Sequence, residues 1–156
     1  MKYDITVKTL DDQPTVTIRR TCKPEEVGRT LEEILPLVHG YLTRLGVDPA
    51  GPPFTRYHAF GDAADKKLVD LEAGLPVKTV VMGEGEIQTG ELPAGMVART
   101  WHVGSYETLP GAYQALERWI ESRGLKPSGP PWEVYWTDPA EEPSPVQWKT
   151  EVVWPL

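Results

Sequence analysis

Carboxylates and aromatic rings stand together in two short segments near the end of the chain. GPPWEVYWTDP, residues 129–139, sets Glu133 between Trp132 and Tyr135, and WKTEVVWPL places Glu151 between two further tryptophans. The faces of aromatic rings attract cations, and a carboxylate held among them at low dielectric adds a counter-charge. These residue types at this spacing therefore indicate a site for a planar, apolar and positively charged small molecule.

The composition bounds the class of protein. The length of 156 residues suits about one domain, and 40% hydrophobic with 25% charged residues is ordinary for a globular protein. A net charge of −7 argues against a nucleic-acid-binding surface, which needs clustered Lys and Arg. The sequence has neither a run long enough for a transmembrane helix nor a signal peptide at its start, and its single cysteine leaves no internal disulfide. We therefore expect a cytoplasmic protein without nucleic-acid or membrane partners.

The sequence also predicts an internal repeat. GVDPAGPPFTRYHAF (46–60) and GLKPSGPPWEVYWTD (124–138) share the pattern G-x-x-P-x-G-P-P at every fixed position. The similarity continues on both sides of these segments. We therefore interpret the chain as a single domain, residues 1–156, made of two pseudo-symmetric repeats, 1–76 and 77–156.

Each repeat is predicted to contain two strands, a helix and two more strands. Apolar alternation predicts hairpins around DDQP (11–14) and LPAG (92–95). Apolar residues at 3–4 spacing predict a helix from Pro24 to Leu45, with a kink or break at Pro36, and a second helix over 107–123. The remaining strands are predicted near 54–60, 67–72, 132–138 and 148–154. The result is an α+β fold, ββαββ twice, in which one antiparallel sheet carries both helices on one face and leaves the other face uncovered.

Three motifs give the chain its resemblance to a known family. H-x-G-x-Y begins at His102, W-E-x-Y at Trp132 and T-E-V at Thr150. With these motifs nearly the whole chain resembles the GyrI-like (gyrase-inhibitor-like) small-molecule-binding family, which includes effector-binding domains of AraC-type and MerR-type multidrug regulators. The resemblance implies a ligand groove between the repeats, lipophilic and often cationic ligands and, in some stand-alone members, hydrolysis of cyclopropane-bearing alkylating compounds. Because the domain takes up all 156 residues, we expect a free-standing version with no DNA-binding segment.

Alternation along the strands predicts which side chains face the groove. Glu133, Tyr135 and Glu151 are expected on the uncovered face, with Tyr57 and Glu72 in the mirrored places of the first repeat. The predicted ligand-binding residues are Glu133, Glu151, Tyr135, Tyr57, Trp101, Tyr106, Trp132 and Glu72.

Several interpretations of these residues remain open. Glu133 and Glu151 could be ordinary strand residues, either solvated or paired with Arg99 or Lys149. The first functional hypothesis is a protein that senses or sequesters lipophilic cationic xenobiotics. The second is a hydrolase, in which Glu151 or Glu133 activates a water that attacks a strained ring while Tyr135 polarises or protonates the leaving group. The third is a protein-interaction inhibitor module, as the family's name implies.

No cofactor or metal site is expected. The histidines, His39, His58 and His102, are dispersed, with no acid or cysteine at metal-ligand spacing. His102 is expected to hydrogen-bond near the start of the second helix, and Cys22 has no evident activating partner. Exposed edge strands such as 86–92 leave a monomer or a weak homodimer as the expected state.

Overall fold

The computed structural model describes residues 2–60 and 68–156. These residues form eight strands and two α-helices, which confirms the α+β prediction. The strands are β1 (Thr6–Leu10), β2 (Gln13–Cys22), β3 (Phe54–Ala59), β4 (Val69–Pro76), β5 (Gln88–Leu92), β6 (Gly95–Val103), β7 (Trp132–Tyr135) and β8 (Lys149–Pro155). The helices are α1 (Val27–Leu45) and α2 (Pro110–Ser122). Residue 67, where one strand was predicted to begin, lies outside the described residues.

The chain divides into two compact units. We call Met1–Asp11 with Ala94–Leu156 the terminal unit, and Asp12–Pro93 the central unit. In the central unit the antiparallel strands lie in the order β3-β4-β2-β5, and in the terminal unit in the order β1-β6-β8-β7. Neither α-helix in the described part of the chain is long and apolar enough to cross a membrane.

Helix α1 covers one face of the central unit's sheet. It follows a 3-10 turn over Pro24–Glu26 and ends at Gly46, whose φ of 71° lies in the left-handed region that favours glycine. Of the kink or break predicted at Pro36, the break is wrong, because the helix continues through that residue; the kink stays a prediction. Proline removes one backbone donor there, while the apolar face of the helix stays packed on the sheet. The buried residues of this core include Ile34, Val38, Leu42, Val16, Ile18, Leu71 and Ala73.

Helix α2 covers one face of the terminal unit's sheet in the same way. A 3-10 turn over Tyr106–Thr108 precedes it, so the helix begins three residues later than position 107, where it was predicted to start. Its inner face packs on Ala98 of β6 and Val152 of β8. The helix contributes Ala112, Leu116 and Ile120 to this core.

Both predicted hairpins are wrong. β1 pairs with β6, from Thr6 opposite Arg99 to Leu10 opposite Gly95, and β2 pairs with β5 instead of β1. The other edge of β2 is paired with β4 and that of β6 with β8, so neither strand has an edge left for its neighbour in sequence. Alternation identifies the residues of a strand and their faces, but it does not identify the partner strand. The pseudo-symmetric repeat itself stays a prediction.

Candidate functional site

The strand register of the terminal unit separates the predicted site residues onto two faces of its sheet. Glu151 lies opposite Trp101 and Val134, whereas Glu133 lies opposite Val152. Directly opposed residues of antiparallel strands point to the same face, and Val152 packs beneath α2. Glu133 therefore lies on the face that α2 covers, and Glu151 lies on the opposite face. The expectation that both glutamates share the uncovered face is wrong.

On the face opposite α2, Glu151 lies between a guanidinium group and indole rings. Arg99 donates from Nη1 to Oε2 of Glu151 at 2.9 Å, and Trp136 donates from Nε1 to Oε1 at 3.2 Å. The Glu151 side chain is only 11% exposed. The ring of Trp101 lies 5.8 Å from that of Trp136, measured between centroids. We call Arg99, Trp101, Trp136, Lys149 and Glu151 the Glu151 cluster.

The Trp101 ring already faces two cations of the chain itself. Nζ of Lys149 lies 4.3 Å from the ring centroid, and Cζ of Arg99 lies 5.8 Å from it. Both distances fall within the roughly 6 Å over which the face of an aromatic ring attracts a cation. The Glu151 cluster therefore combines one carboxylate with two positive side chains, and its carboxylate is not an isolated charge.

On the helix-covered face, Glu133 is held by neutral hydroxyl groups. Tyr113 of α2 donates to Oε1 and Tyr135 donates to Oε2, both at 2.7 Å. Burial raises the pKa of Glu133, although the two hydroxyl hydrogen bonds act in the opposite direction. The ring of Tyr106 lies 5.8 Å from Tyr135 and 4.8 Å from Trp148. Burial, with the nearby negative charge of Glu133, raises the pKa of Tyr106. We call these five residues the Glu133 cluster.

The central unit has a glutamate of its own on the face opposite α1. Thr17 donates from Oγ1 to Oε2 of Glu72 at 2.7 Å, and His58 donates from Nε2 to Oε1 at 2.8 Å. Tyr57 lies opposite the core residue Leu71 and is buried beneath α1. Glu72 and Tyr57 therefore lie on opposite faces, and the expectation that they share one is wrong.

The structure thus distributes the predicted ligand-binding residues over three places. The face opposite α2 carries Glu151, Trp101 and Trp132; the Glu133 cluster contains Glu133, Tyr135 and Tyr106; the central unit holds Glu72 and Tyr57. Neither Trp136 nor Tyr113 is among the predicted ligand-binding residues, although Trp136 donates to Glu151 and Tyr113 donates to Glu133. Trp136 could have been found, because it has the same strand phase as Val134, which faces Glu151.

His102 is fully buried near the start of α2. Its Nε2 lies 3.0 Å from the carbonyl oxygen of Ser105, which can only accept, so this nitrogen donates. Nδ1 then accepts from the hydroxyl group of Tyr3 at 2.9 Å. The expectation that His102 hydrogen-bonds near the helix start is confirmed. Among residues 2–60 and 68–156, no group of three or more His, Cys, Asp or Glu side chains could hold a metal ion.

The whole chain matches one family. Residues 3–156 match the GyrI-like small molecule binding domain, and the chain belongs to this family. No curated protein matches the chain.

Solved structures show the same fold. The C-terminal domain of EcmrR superposes with a TM-score of 0.87 at 23% identity, over 99% of this chain and 98% of that one. EcmrR in a cryo-EM complex with DNA gives a TM-score of 0.83 at 22% identity, over 98% of this chain but only 57% of that one. The chain therefore spans little more than half the length of that EcmrR chain.

Two more distant structures share the fold. SAV2435, whose structure was determined bound to tetraphenylphosphonium, gives a TM-score of 0.63 at 13% identity, over 99% of this chain and 93% of that one. A hydrolase encoded by lin2189 from Listeria innocua gives a TM-score of 0.69 at 12% identity, over 97% of this chain and 90% of that one. At these identities the likeness concerns the fold alone.

Proposed function

We propose that the chain is a cytoplasmic binding protein for lipophilic, cationic aromatic small molecules, which it senses or sequesters through the Glu151 cluster. One observation carries this proposal: a carboxylate whose side chain is 11% exposed lies beside the indole rings of Trp101 and Trp136. A buried carboxylate attracts a cation more strongly than an exposed one because the surrounding dielectric is low. Each ring face adds about 0.5–2 kcal/mol when it is desolvated.

Glu151, rather than Glu133, supplies the counter-charge in this proposal. Both carboxylate oxygens of Glu133 already accept hydroxyl hydrogen bonds, and burial raises its pKa, so its charged form is disfavoured. Glu151 instead lies in an ion pair with Arg99, whose Nη1 donates to Oε2 at 2.9 Å. A charged acceptor is what a cationic ligand requires.

The comparisons support the choice of ligand class. The family is one of small-molecule-binding domains. The structure of SAV2435, which has the same fold, was determined with the lipophilic cation tetraphenylphosphonium bound. Tetraphenylphosphonium is therefore a suitable probe: it is rigid, aromatic and permanently charged, so its own protonation does not change during a titration.

The test is a titration followed by tryptophan fluorescence. The protein is titrated with tetraphenylphosphonium and with triphenylphosphine oxide, a neutral molecule with similar rings. We expect the cation to bind with about micromolar affinity, and Glu151→Gln to weaken it about tenfold, equivalent to about 1.4 kcal/mol. Affinity for the neutral oxide should be unchanged, because it gains nothing from the carboxylate charge.

Glu117→Gln is the matched control. It removes the same charge from an exposed position on α2 of the same unit, so it reproduces the change in net charge without touching the cluster. Equal affinity for the two probes, or equal losses in Glu151→Gln and Glu117→Gln, would contradict the proposal. Circular dichroism of each variant shows whether a loss of binding reflects a loss of fold.

Hydrolysis of strained, electrophilic xenobiotics is a second candidate function, and one contact favours it. The Tyr135 hydroxyl lies 2.7 Å from the Glu133 carboxylate, whereas Glu151 faces the other side of the sheet. Glu133 would take a proton from a water whose oxygen bonds to a ring carbon, while Tyr135 would protonate the atom that receives the electron pair of the broken ring bond. Incubation with a cyclopropane-bearing alkylating compound tests this candidate. A ring-opened water adduct that Glu133→Gln no longer forms supports it, and unchanged compound contradicts it.

A further inference from the structure

We infer that Lys149 is an internal competitor of the ligand: its ammonium group occupies the place on the Trp101 ring that a bound cation would take, and the ligand displaces it, whereas Arg99 stays on Glu151. This inference rests on the proposed function and deepens it. It makes Lys149 a residue that determines specificity, because the ligand must bind the Trp101 ring more favourably than Lys149 does.

The position of Lys149 is that of a bound cation. Its Nζ lies 4.3 Å from the centroid of the Trp101 ring, closer than Cζ of Arg99 at 5.8 Å. No carboxylate of the described residues forms a salt bridge with Lys149, although Arg19, Arg20, Arg29, Arg44 and Arg99 each pair with a carboxylate. Lys149 is also exposed. The ammonium group therefore contacts the face of the Trp101 ring, and such contacts are weak at exposed positions.

Arg99 is held much more firmly. Its Nη1 donates to Glu151 at 2.9 Å and its Nε donates to Thr6 Oγ1 at 3.3 Å. Its side chain is 26% exposed, and removing it would leave a mostly buried carboxylate without its cation. Of the two internal cations, Lys149 therefore leaves the Trp101 ring at the lower cost, while Arg99 remains and shares Glu151 with the ligand.

Displacement of Lys149 selects among cations. A compact ammonium ion that replaces Lys149 gains only the contact that Lys149 gives up, so its net gain at the ring is close to zero. A lipophilic cation with a delocalised charge also buries its own apolar surface on Trp101 and Trp136, which the lysine head group cannot do. The cluster should therefore bind large aromatic cations and reject small, strongly hydrated ones.

The experiment compares lysine variants of the full chain in the tetraphenylphosphonium titration. Lys149→Gln removes the competing charge, and we expect about two- to fivefold tighter binding, the range that an exposed cation–ring contact supplies. Lys149→Arg keeps a cation at this position, and its affinity should stay near that of the unchanged protein. Lys126→Gln is the matched control: it makes the same change in net charge at an exposed position of the terminal unit and should have no effect.

The outcomes separate this inference from the proposed function. If the unchanged protein binds the cation but Lys149→Gln binds it equally or more weakly, the inference is wrong and the proposed function stands. Equal gains in Lys149→Gln and Lys126→Gln overturn the inference too, because the effect is then one of net charge. If neither the unchanged protein nor Lys149→Gln shows saturable binding, the proposed function fails and the inference fails with it.

A second readout follows the lysine directly. In the free protein the Trp101 ring should shift the Hε protons of Lys149 upfield, and Trp101→Leu should remove this shift. Saturation with tetraphenylphosphonium should move these protons toward the ordinary lysine position. An upfield shift that persists at saturation would show that Lys149 stays on the ring, and would overturn the inference.

Discussion

Two buried glutamates of the terminal unit show how neighbours decide the chemistry of one residue type. Counted over the whole residue, Glu133 is 5% exposed and Glu151 is 8% exposed, so burial alone does not distinguish them. Glu151 accepts from the cation Arg99, whereas Glu133 accepts from two neutral tyrosine hydroxyls. A carboxylate without a cation beside it at low dielectric favours its neutral form. The charge of Glu133 therefore depends on pH above the usual range of a carboxyl group, whereas Glu151 lies in an ion pair with Arg99.

From the raised pKa of Glu133 we predict how the free energy of unfolding depends on pH. When the folded pKa exceeds the unfolded value, the folded state binds more protons between the two values, so the free energy of unfolding falls as the pH rises through that window. Here the window begins at the ordinary Glu value of 4.5 and extends upward. Glu133→Gln removes the titrating group while keeping one oxygen acceptor. Relative to the unchanged protein, we expect this variant to become progressively more stable as the pH rises above 4.5, as measured by urea denaturation.

Glu117→Gln, the exposed substitution on α2, is the control for this pH series. Its stability relative to the unchanged protein should not vary systematically over the same range. Parallel pH profiles for Glu133→Gln and the unchanged protein would show that Glu133 does not titrate abnormally, and that its two tyrosine contacts fully offset the effect of burial.

The residue types of the candidate site were predictable from sequence, but their arrangement was not. Strand alternation assigns Glu133 to the uncovered face, because it puts the carboxylate on the side of the strand away from Trp132 and Val134. The structure instead satisfies it beneath α2 with Tyr113, a helix residue whose apolar spacing predicts a core position. A buried acid can thus be stabilised by a hydroxyl far away in sequence, and alternation along one strand carries no information about that partner.

At the scale of elements, local signals predicted the helices and strands well. Pro24 and Gly46 mark the ends of the first helical segment, and apolar spacing identifies its inner face. Pro36 is the exception, because a strong local helix breaker is overridden where the helix face packs on a sheet.

Strand pairing was not predictable in the same way. Each predicted hairpin has a short turn and good alternation, yet β1 pairs with β6 and β2 with β5. The turn segment at Asp11–Asp12 passes from the terminal unit to the central unit instead of closing a hairpin. A strand with this alternation is compatible both with its neighbour in sequence and with a distant strand of similar pattern. The choice between these partners therefore depends on contacts distant along the chain.

At the scale of the whole molecule, the repeats predicted from the sequence and the compact units of the structure have different boundaries. The predicted repeats, 1–76 and 77–156, assign β1 to the same part of the chain as β2. The compact units assign β1 to the residues that follow Ala94, and β2 to Asp12–Pro93. The stability of β1 in the full chain distinguishes these assignments, because a strand is protected by the core on which it depends.

Native-state hydrogen exchange on two core variants measures this dependence. Leu116 and Ile34 are fully buried, the first on the inner face of α2 and the second on the inner face of α1, and truncating either to alanine should cost about 2–5 kcal/mol. Because β1 pairs with β6 of the terminal unit, Leu116→Ala should accelerate exchange of the β1 amides at least about thirtyfold. Ile34→Ala should accelerate exchange of the β2 and β4 amides to a similar extent and affect exchange of the β1 amides much less. If Ile34→Ala instead accelerates exchange of the β1 amides, β1 folds with the first predicted repeat. If both variants accelerate all strands equally, the two units unfold as one, and neither boundary describes an independent unit of stability.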